Sequence, residues 1–218
     1  MIDYAAARLN MVDSQLRTNK VTDEAVLDAF LSVPRERFVP PALHATAYVD
    51  DDIPLGGGRY LMEPMVLARL IQLAAVSRTD TVLEIGCGTG YGTALLARLA
   101  RSVVAVEPDP ALAAQAAARL RELGAGNATV IEAPLAEGHT ARAPYGAILL
   151  EGAAARIPEA IGRQLAEGGR LVAVMQEGGG MGQAVLISRI NGVLSRRPDF
   201  DAAVPLLPGF QREASFVF

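Results

Sequence analysis

At 218 residues the chain is long enough for one domain with a modest extension and a sizeable core. Hydrophobic residues make up 51% and charged residues 20%, a balance that excludes disorder. The net charge of −4, with Lys20 as the single lysine, argues against a nucleic-acid partner. Cys87 is the single cysteine, so no intrachain disulfide can form and a reducing cytoplasm is the expected compartment. The segment 1–10 carries Asp3 and Arg8 without an apolar stretch, which does not read as a signal peptide. No run of about 18 uncharged apolar residues occurs, so no membrane partner is expected.

Residues 1 to about 75 read as a helical N-terminal extension. Asp23 and Glu24 favour a helix start through the macrodipole, Val26, Leu27, Phe30 and Leu31 form an apolar stripe, and Pro34 ends it. Gly56-Gly57-Gly58 is a flexible loop, and Pro64 opens a helix through about Ala75. This segment is expected to lie over the site as a lid.

From Thr81, within a second unit spanning 76–218, short apolar runs alternate with helical patterns. That is the signature of an α/β, doubly wound, mostly parallel sheet with helices on both faces. Strands are expected at 81–85, 102–106, 128–132, 147–151 and 170–175, with helices near 91–99, 110–123 and 158–166. Asp109-Pro110 supplies a cap and a first-turn proline, and Gly124 a stop. Ala184–Ile190, Asn191-Gly192 and Val193 onward read as an antiparallel C-terminal hairpin.

The chemistry concentrates in Val82-Leu83-Glu84-Ile85-Gly86-Cys87-Gly88-Thr89-Gly90-Tyr91 and in Val103–Glu107. A nucleoside at the carboxyl end of a parallel strand needs close backbone approach, which Gly86, Gly88 and Gly90 permit. Glu107, 21 positions after Gly86, lies where the doubly wound fold places a carboxylate to accept from ribose hydroxyls. The dinucleotide pattern requires glycine at position 91, and Tyr91 stands there instead. A cofactor without a pyrophosphate, such as S-adenosyl-L-methionine, fits better.

Met11–Leu16, Val33-Pro34-Arg35-Glu36-Arg37-Phe38-Val39-Pro40 with Ala47-Tyr48, Val82–Tyr91, Ala143-Pro144-Tyr145, Ile157-Pro158, Gln164-Leu165, Gly168-Gly169 and Pro205-Leu206 resemble the protein-L-isoaspartate O-methyltransferase family over nearly the whole chain. The resemblance implies the S-adenosylmethionine-dependent methyltransferase fold. It also implies transfer of a methyl group to the α-carboxylate of L-isoaspartyl residues in a protein or peptide. The ester then recyclises through a succinimide and reopens partly as aspartate, which is repair. By position, Glu84, Gly86, Cys87, Gly88, Gly90, Tyr91, Glu107, Pro108, Met62 and Ala133-Pro134-Leu135 are the expected cofactor contacts.

The chain also departs from the family. The family's lid reads Thr-Ile-Ser-Gln-Pro, and here it reads Tyr60-Leu61-Met62-Glu63-Pro64, so Met62 has no hydroxyl to donate. Pro134 stands where the family has an aspartate, Gly146 follows Tyr145, and Glu151 replaces a strand-ending threonine. Glu63 and Glu151 beside an anionic acceptor would cost binding, whereas a hydroxyl or amine acceptor would use Glu151 as a base. Glu151 and Glu63 are therefore the candidate catalytic groups. The methyl acceptor stays open between an isoaspartyl peptide and a small molecule, with a noncatalytic cofactor-binding protein as a third reading.

Plain alternatives stand beside these assignments. Glu84 and Glu107 can be strand-end charges, Met62 lid packing, Glu63 a helix-terminal acid and Glu151 a surface residue. Cys87 is expected to pack rather than attack, and His44 and His139 to be surface residues rather than metal ligands, so no metal is expected. The apolar C-terminal segments Val204–Phe210 and Phe216–Phe218 are expected to cover the sheet or to make a dimer contact, leaving monomer and homodimer open.

Overall fold

A computed structural model of the chain describes residues 2–178 and 180–211. Phe216-Val217-Phe218 and the middle glycine of Gly178-Gly179-Gly180 lie outside the described residues. In the main sheet, β3 (Thr81–Ile85), β4 (Ser102–Glu107), β5 (Ala128–Glu132), β6 (Tyr145–Ala154), β7 (Leu165–Met175), β8 (Gly182–Ile190) and β9 (Val193–Ala202) run in the order β5-β4-β3-β6-β7-β8-β9. The pairs from β5 to β7 are parallel, and β8 and β9 add an antiparallel hairpin at the edge. Its turn is Asn191-Gly192, both at positive φ, as a tight two-residue connection requires. The chain winds outward through β4 and β5 and then returns to the other side of β3. This reversal opens a crevice at the strands' carboxyl ends, where ligands of such sheets bind.

Alternation along the strands sorts the core onto two faces. Val82, Val103, Ala147, Leu149 and Val172 meet the N-terminal segment, α3 (Pro64–Ala74) and α4 (Tyr91–Leu99). Leu83, Ile85, Val104, Ile148, Leu150 and Leu171 face Leu135, Ile161, Leu207 and Phe210 instead. The extension has no core of its own. Met11 and Leu16, and Leu27 and Phe30 of α2 (Glu24–Ser32), share one apolar cluster with Tyr91 and Leu95 of α4. α5 (Pro110–Glu122) is capped by Asp109, which accepts from the amides of Ala111 and Leu112 at 2.8 and 3.1 Å.

Two elements differ from the sequence reading. The helix expected at 158–166 is a single turn, α6 (Glu159–Gly162), because the chain is already in strand geometry at Leu165. The Tyr145 amide donates to the Gln164 carbonyl at 2.8 Å, and the Gln164 amide group donates to the carbonyls of Glu137 and Ala160. These bonds take residue 164 out of the helix. The extension also contains a two-stranded antiparallel hairpin, β1 (Ile53–Gly56) and β2 (Arg59–Leu61), which stands apart from the main sheet. Gly56, Gly57 and Gly58, all at positive φ, form its tip. Among the described residues no helix is long and apolar enough to cross a membrane.

Asn127 ties the end of α4 to the start of β5. Its Nδ2 donates to the carbonyls of Ala97, Ala100 and Arg101 at 2.9, 3.3 and 3.4 Å. Asn127→Ala is expected to lower stability by about 1–2 kcal/mol, seen as a fall in the urea midpoint at constant slope. An unchanged midpoint would show that these bonds add nothing net.

Candidate functional site

The glycine-rich turn links β3 to α4 at the reversal of strand order. Gly86, Gly88 and Gly90 all have positive φ, and the amides of Gly86 and Cys87 donate to the Val106 carbonyl at 2.8 and 3.2 Å. This register brings the turn against the end of β4, where Glu107 is completely buried. Glu107 accepts from the Gly88 amide at 2.7 Å and from the Asp109 amide at 3.3 Å. A carboxylate held this way at the lip of a glycine turn is the acceptor that a vicinal diol needs.

A side chain that sequence reading missed is bound there. Arg59 of β2, 4% exposed, reaches Glu107 through Nε at 3.3 Å to both carboxylate oxygens and through Nη2 at 3.2 Å, and Nη2 also donates to the Gly86 carbonyl at 2.6 Å. A methyl group built on Gly86 would stand 2.6 Å from Arg59 Nη2 and 2.8 Å from Leu207, and one on Gly88 would stand 2.8 Å from Leu55. The cradle thus has the backbone shape and the acceptor for a nucleoside, and its volume is taken by the tips of three side chains. The adjoining cleft, lined by Asp52, Arg59, Tyr60, Met62 and Glu151 among others, holds only about 10 Å³, against several hundred for a nucleoside-sized site. One signal was present in the sequence: Arg59 alternates with Leu61 and so shares the inward face of β2.

Below the turn lies a pair of buried carboxyl groups. Thr93 of α4 donates its hydroxyl to Glu84. Glu151 is carried into the site by an irregularity of β6, where four residues from Leu149 to Ala153 span two of β7. Glu84 Oε1 and Glu151 Oε1 face one another across Gly92, where any Cβ would collide with both. Among the described residues neither oxygen receives a bond from another donor, so a proton held between them satisfies both. Burial raises the affinity of both groups for protons, and in Glu151 the neighbouring Glu84 raises it further. Of the two, Glu151 has its proton affinity raised by burial and by the neighbouring Glu84, which makes it the donor within the pair.

Glu63 precedes Pro64 at the start of α3 without making a capping bond. Its amide donates to Asp52 at 2.9 Å. Partial burial, reinforced by Asp52, Asp50 and Asp51, pushes the Glu63 carboxyl up to about 7, and burial pushes Asp52 to about 6. Glu63 is thus neutral below about pH 7 and Asp52 below about pH 6.

The remaining expected contacts separate into two groups. Met62 is buried and lines the cleft, its carbonyl accepting from Arg35 Nη2 at 2.9 Å. Cys87 instead packs with Ala105 and with Ala116 of α5, and burial raises its thiol well above the ordinary range. Tyr91 is fully buried between Phe30 and Phe38, with ring centroids at 6.0 and 5.4 Å, and beneath the Arg35 guanidinium at 4.9 Å. Its ring anchors the extension on α4 rather than facing the cradle. Thr89 strengthens that anchor by donating to the Phe38 carbonyl at 2.5 Å. Pro108 and Pro134 are exposed, Ala133 is half-buried and Leu135 is in the core. Among the described residues no group of three His, Cys, Asp or Glu side chains is arranged to hold a metal ion.

Residues 7–204 match the family model described as protein-L-isoaspartate(D-aspartate) O-methyltransferase. A protein-L-isoaspartate O-methyltransferase of Methylorubrum extorquens is 41% identical over 212 residues, covering 95% of this chain and 91% of that protein. One from Koribacter versatilis is 41% identical over 169 residues, covering 78% and 76%. A solved protein-L-isoaspartate O-methyltransferase superposes with a TM-score of 0.80 at 24% identity, over 93% of this chain and 66% of that one. A candidate enzyme of this kind from Plasmodium falciparum, in complex with S-adenosyl-L-homocysteine, gives 0.77 at 18% identity over 95% and 99%. These two structural likenesses establish the fold.

The carboxyl pair makes stability depend on pH. Both groups bind protons more tightly folded than unfolded, so their contribution is full below the unfolded value near 4.5 and is lost as pH rises through the folded values. Thermal unfolding is expected to show stability declining above about pH 5, by up to about 1.4 kcal/mol per pH unit for each proton, and more shallowly in Glu151→Gln. Parallel profiles for the two proteins would contradict the shared proton.

Proposed function

The chain belongs to the protein-L-isoaspartate(D-aspartate) O-methyltransferase family, and from that membership we propose that it repairs proteins by methylating the α-carboxylate of L-isoaspartyl residues. It is an S-adenosyl-L-methionine-dependent methyltransferase. The observation that carries the reading is the buried Glu107 carboxylate beside the Gly86–Gly90 turn, where the Gly88 amide already orients it. Glu107 would accept from the ribose hydroxyls, and the turn would let the nucleoside approach backbone.

When bound, the cofactor supplies an electrophilic methyl group on a sulfonium sulfur. The protein's task is to hold the acceptor oxygen in line and to exclude water, since a carboxylate nucleophile needs no general base. The protonation of the cleft suits that task. Three ionised acids, Asp52, Glu63 and Glu151, would repel an isoaspartyl carboxylate. With the Glu151 proton held against Glu84 and the Glu63 carboxyl raised to about 7, these two groups add no full negative charge to the cleft below that pH, and the Arg35 guanidinium lies close to both. The acidic replacements Glu63 and Glu151 thus add little repulsion to an anion below about pH 7, and Asp52 joins them below about pH 6, which favours the isoaspartyl acceptor over a hydroxyl or amine needing a base.

Incubation with an isoaspartyl peptide and methyl-labelled S-adenosylmethionine is expected to label the peptide as a base-labile ester, while the aspartyl isomer stays unlabelled. Glu107→Ala should weaken cofactor binding by at least about tenfold, the scale of a lost charge-assisted bond. The kcat/KM for the peptide should fall as pH rises through about 7, where Glu63 ionises, and Glu63→Gln should flatten that fall. Absence of label on the isoaspartyl peptide, with label on a small hydroxyl or amine acceptor, would overturn the acceptor assignment.

A further inference from the structure

Glu107, assigned above to the ribose hydroxyls, and the neighbouring Gly86 carbonyl are both occupied by the chain itself. Arg59 meets them with four hydrogen bonds of 2.6–3.3 Å. Leu55, from the opposite strand of the same hairpin, lies over Gly88. The ion pair is almost completely withdrawn from water, so salt screens it little. Ligand and hairpin therefore compete for the same atoms and the same volume.

The hairpin has the construction of a part that moves about a fixed base, since Ile53 and Leu61 at its two ends are buried in the main core. Among the described residues β1 and β2 pair only with each other, and a lone two-stranded ribbon has marginal stability. Their register slips between Pro54 and Gly56, and Tyr60 on the outer face is exposed. At the tip, methyl groups built on Gly56 and Gly58 would meet nothing within 4 Å, and one on Gly57 would meet only Asp109 at 3.6 Å. The β3–α4–β4 unit beneath is by contrast fixed by the parallel ladder and the Phe38–Tyr91–Arg35 stack.

We infer that residues 53–61 form an autoinhibitory strap: Arg59 stands in for the cofactor's ribose on Glu107, and S-adenosylmethionine binds only to molecules in which the hairpin has lifted. The inference rests on the assignment of Glu107 to the cofactor cradle. The apparent affinity is the intrinsic one reduced by the fraction of open molecules, so loosening the strap tightens binding without adding any contact. Other family members are not required to share this device, since it depends on Arg59, Leu55 and the glycine tip of this chain.

Calorimetry with S-adenosylhomocysteine on the wild type, Arg59→Gln and Leu55→Ala tests it, with amide hydrogen exchange over 53–61 recorded in each. Leu55→Ala thins the strap without touching the ion pair, so it reports even where Arg59→Gln folds poorly. Both variants are expected to bind more tightly than the wild type, by about tenfold for Arg59→Gln. In the wild type, the ligand should accelerate exchange in the hairpin while protecting residues around 86–90. Equal affinities in all three proteins, or a hairpin equally protected with and without ligand, would overturn the strap. Failure of every protein to bind would remove the cofactor assignment and the strap with it, whereas binding at equal affinity removes the strap alone.

Discussion

The Glu107 carboxylate is stripped of water at the end of β4, and a buried anion needs donors on every exposed lone pair. Much of the surrounding structure supplies them. The left-handed conformations of Gly86 and Gly88 turn an amide toward it, the start of the next helix brings the Asp109 amide, and the hairpin sends in Arg59 across 48 residues of sequence. Losing one partner of such a pair costs about 3–5 kcal/mol, far more than a surface ion pair contributes. The same requirement explains why the hairpin closes over the cradle: the carboxylate takes a guanidinium from its own chain.

Coupling between extension and site follows from Tyr91. The residue directly after the third glycine turns its ring away from the cradle and into the cluster of Phe30, Phe38 and Arg35. Thr89 adds a bond to the Phe38 carbonyl. The N-terminal segment therefore clamps the turn from behind while its hairpin reaches over the front. Behind the turn, the missing side chain of Gly92 makes room for Glu84 and Glu151 to share a proton. A site rich in acids thereby remains compatible with an acidic acceptor.

Much of this was legible in the sequence. Strands 81–85 and 128–132 and the helix at 91–99 fall where the apolar runs and glycines put them, because buried parallel strands and a glycine-opened helix are encoded within a few residues. The Asn191-Gly192 turn is equally local. What escaped depends on distant partners. Pro54 and the run of glycines hid the β1–β2 hairpin inside what read as a loop, and nothing near Arg59 in sequence announces Glu107 as its partner. The protonation of Glu151 requires both the β6 irregularity and Gly92, neither visible in an amino-acid pattern. Tyr91 read as a cofactor contact because it adjoins the third glycine, yet its ring points into packing, while Cys87 packs as its sequence reading expected.

The central claim is that Glu107 is the cofactor's ribose acceptor and that Arg59 yields it on binding. A crystal structure of the protein grown with saturating S-adenosyl-L-homocysteine tests this most directly. The account predicts the ribose hydroxyls within hydrogen-bond distance of Glu107, with the Arg59 guanidinium displaced from it and the hairpin lifted from Gly86 and Gly88. Ligand bound with Arg59 still on Glu107, or bound elsewhere on the molecule, would contradict it.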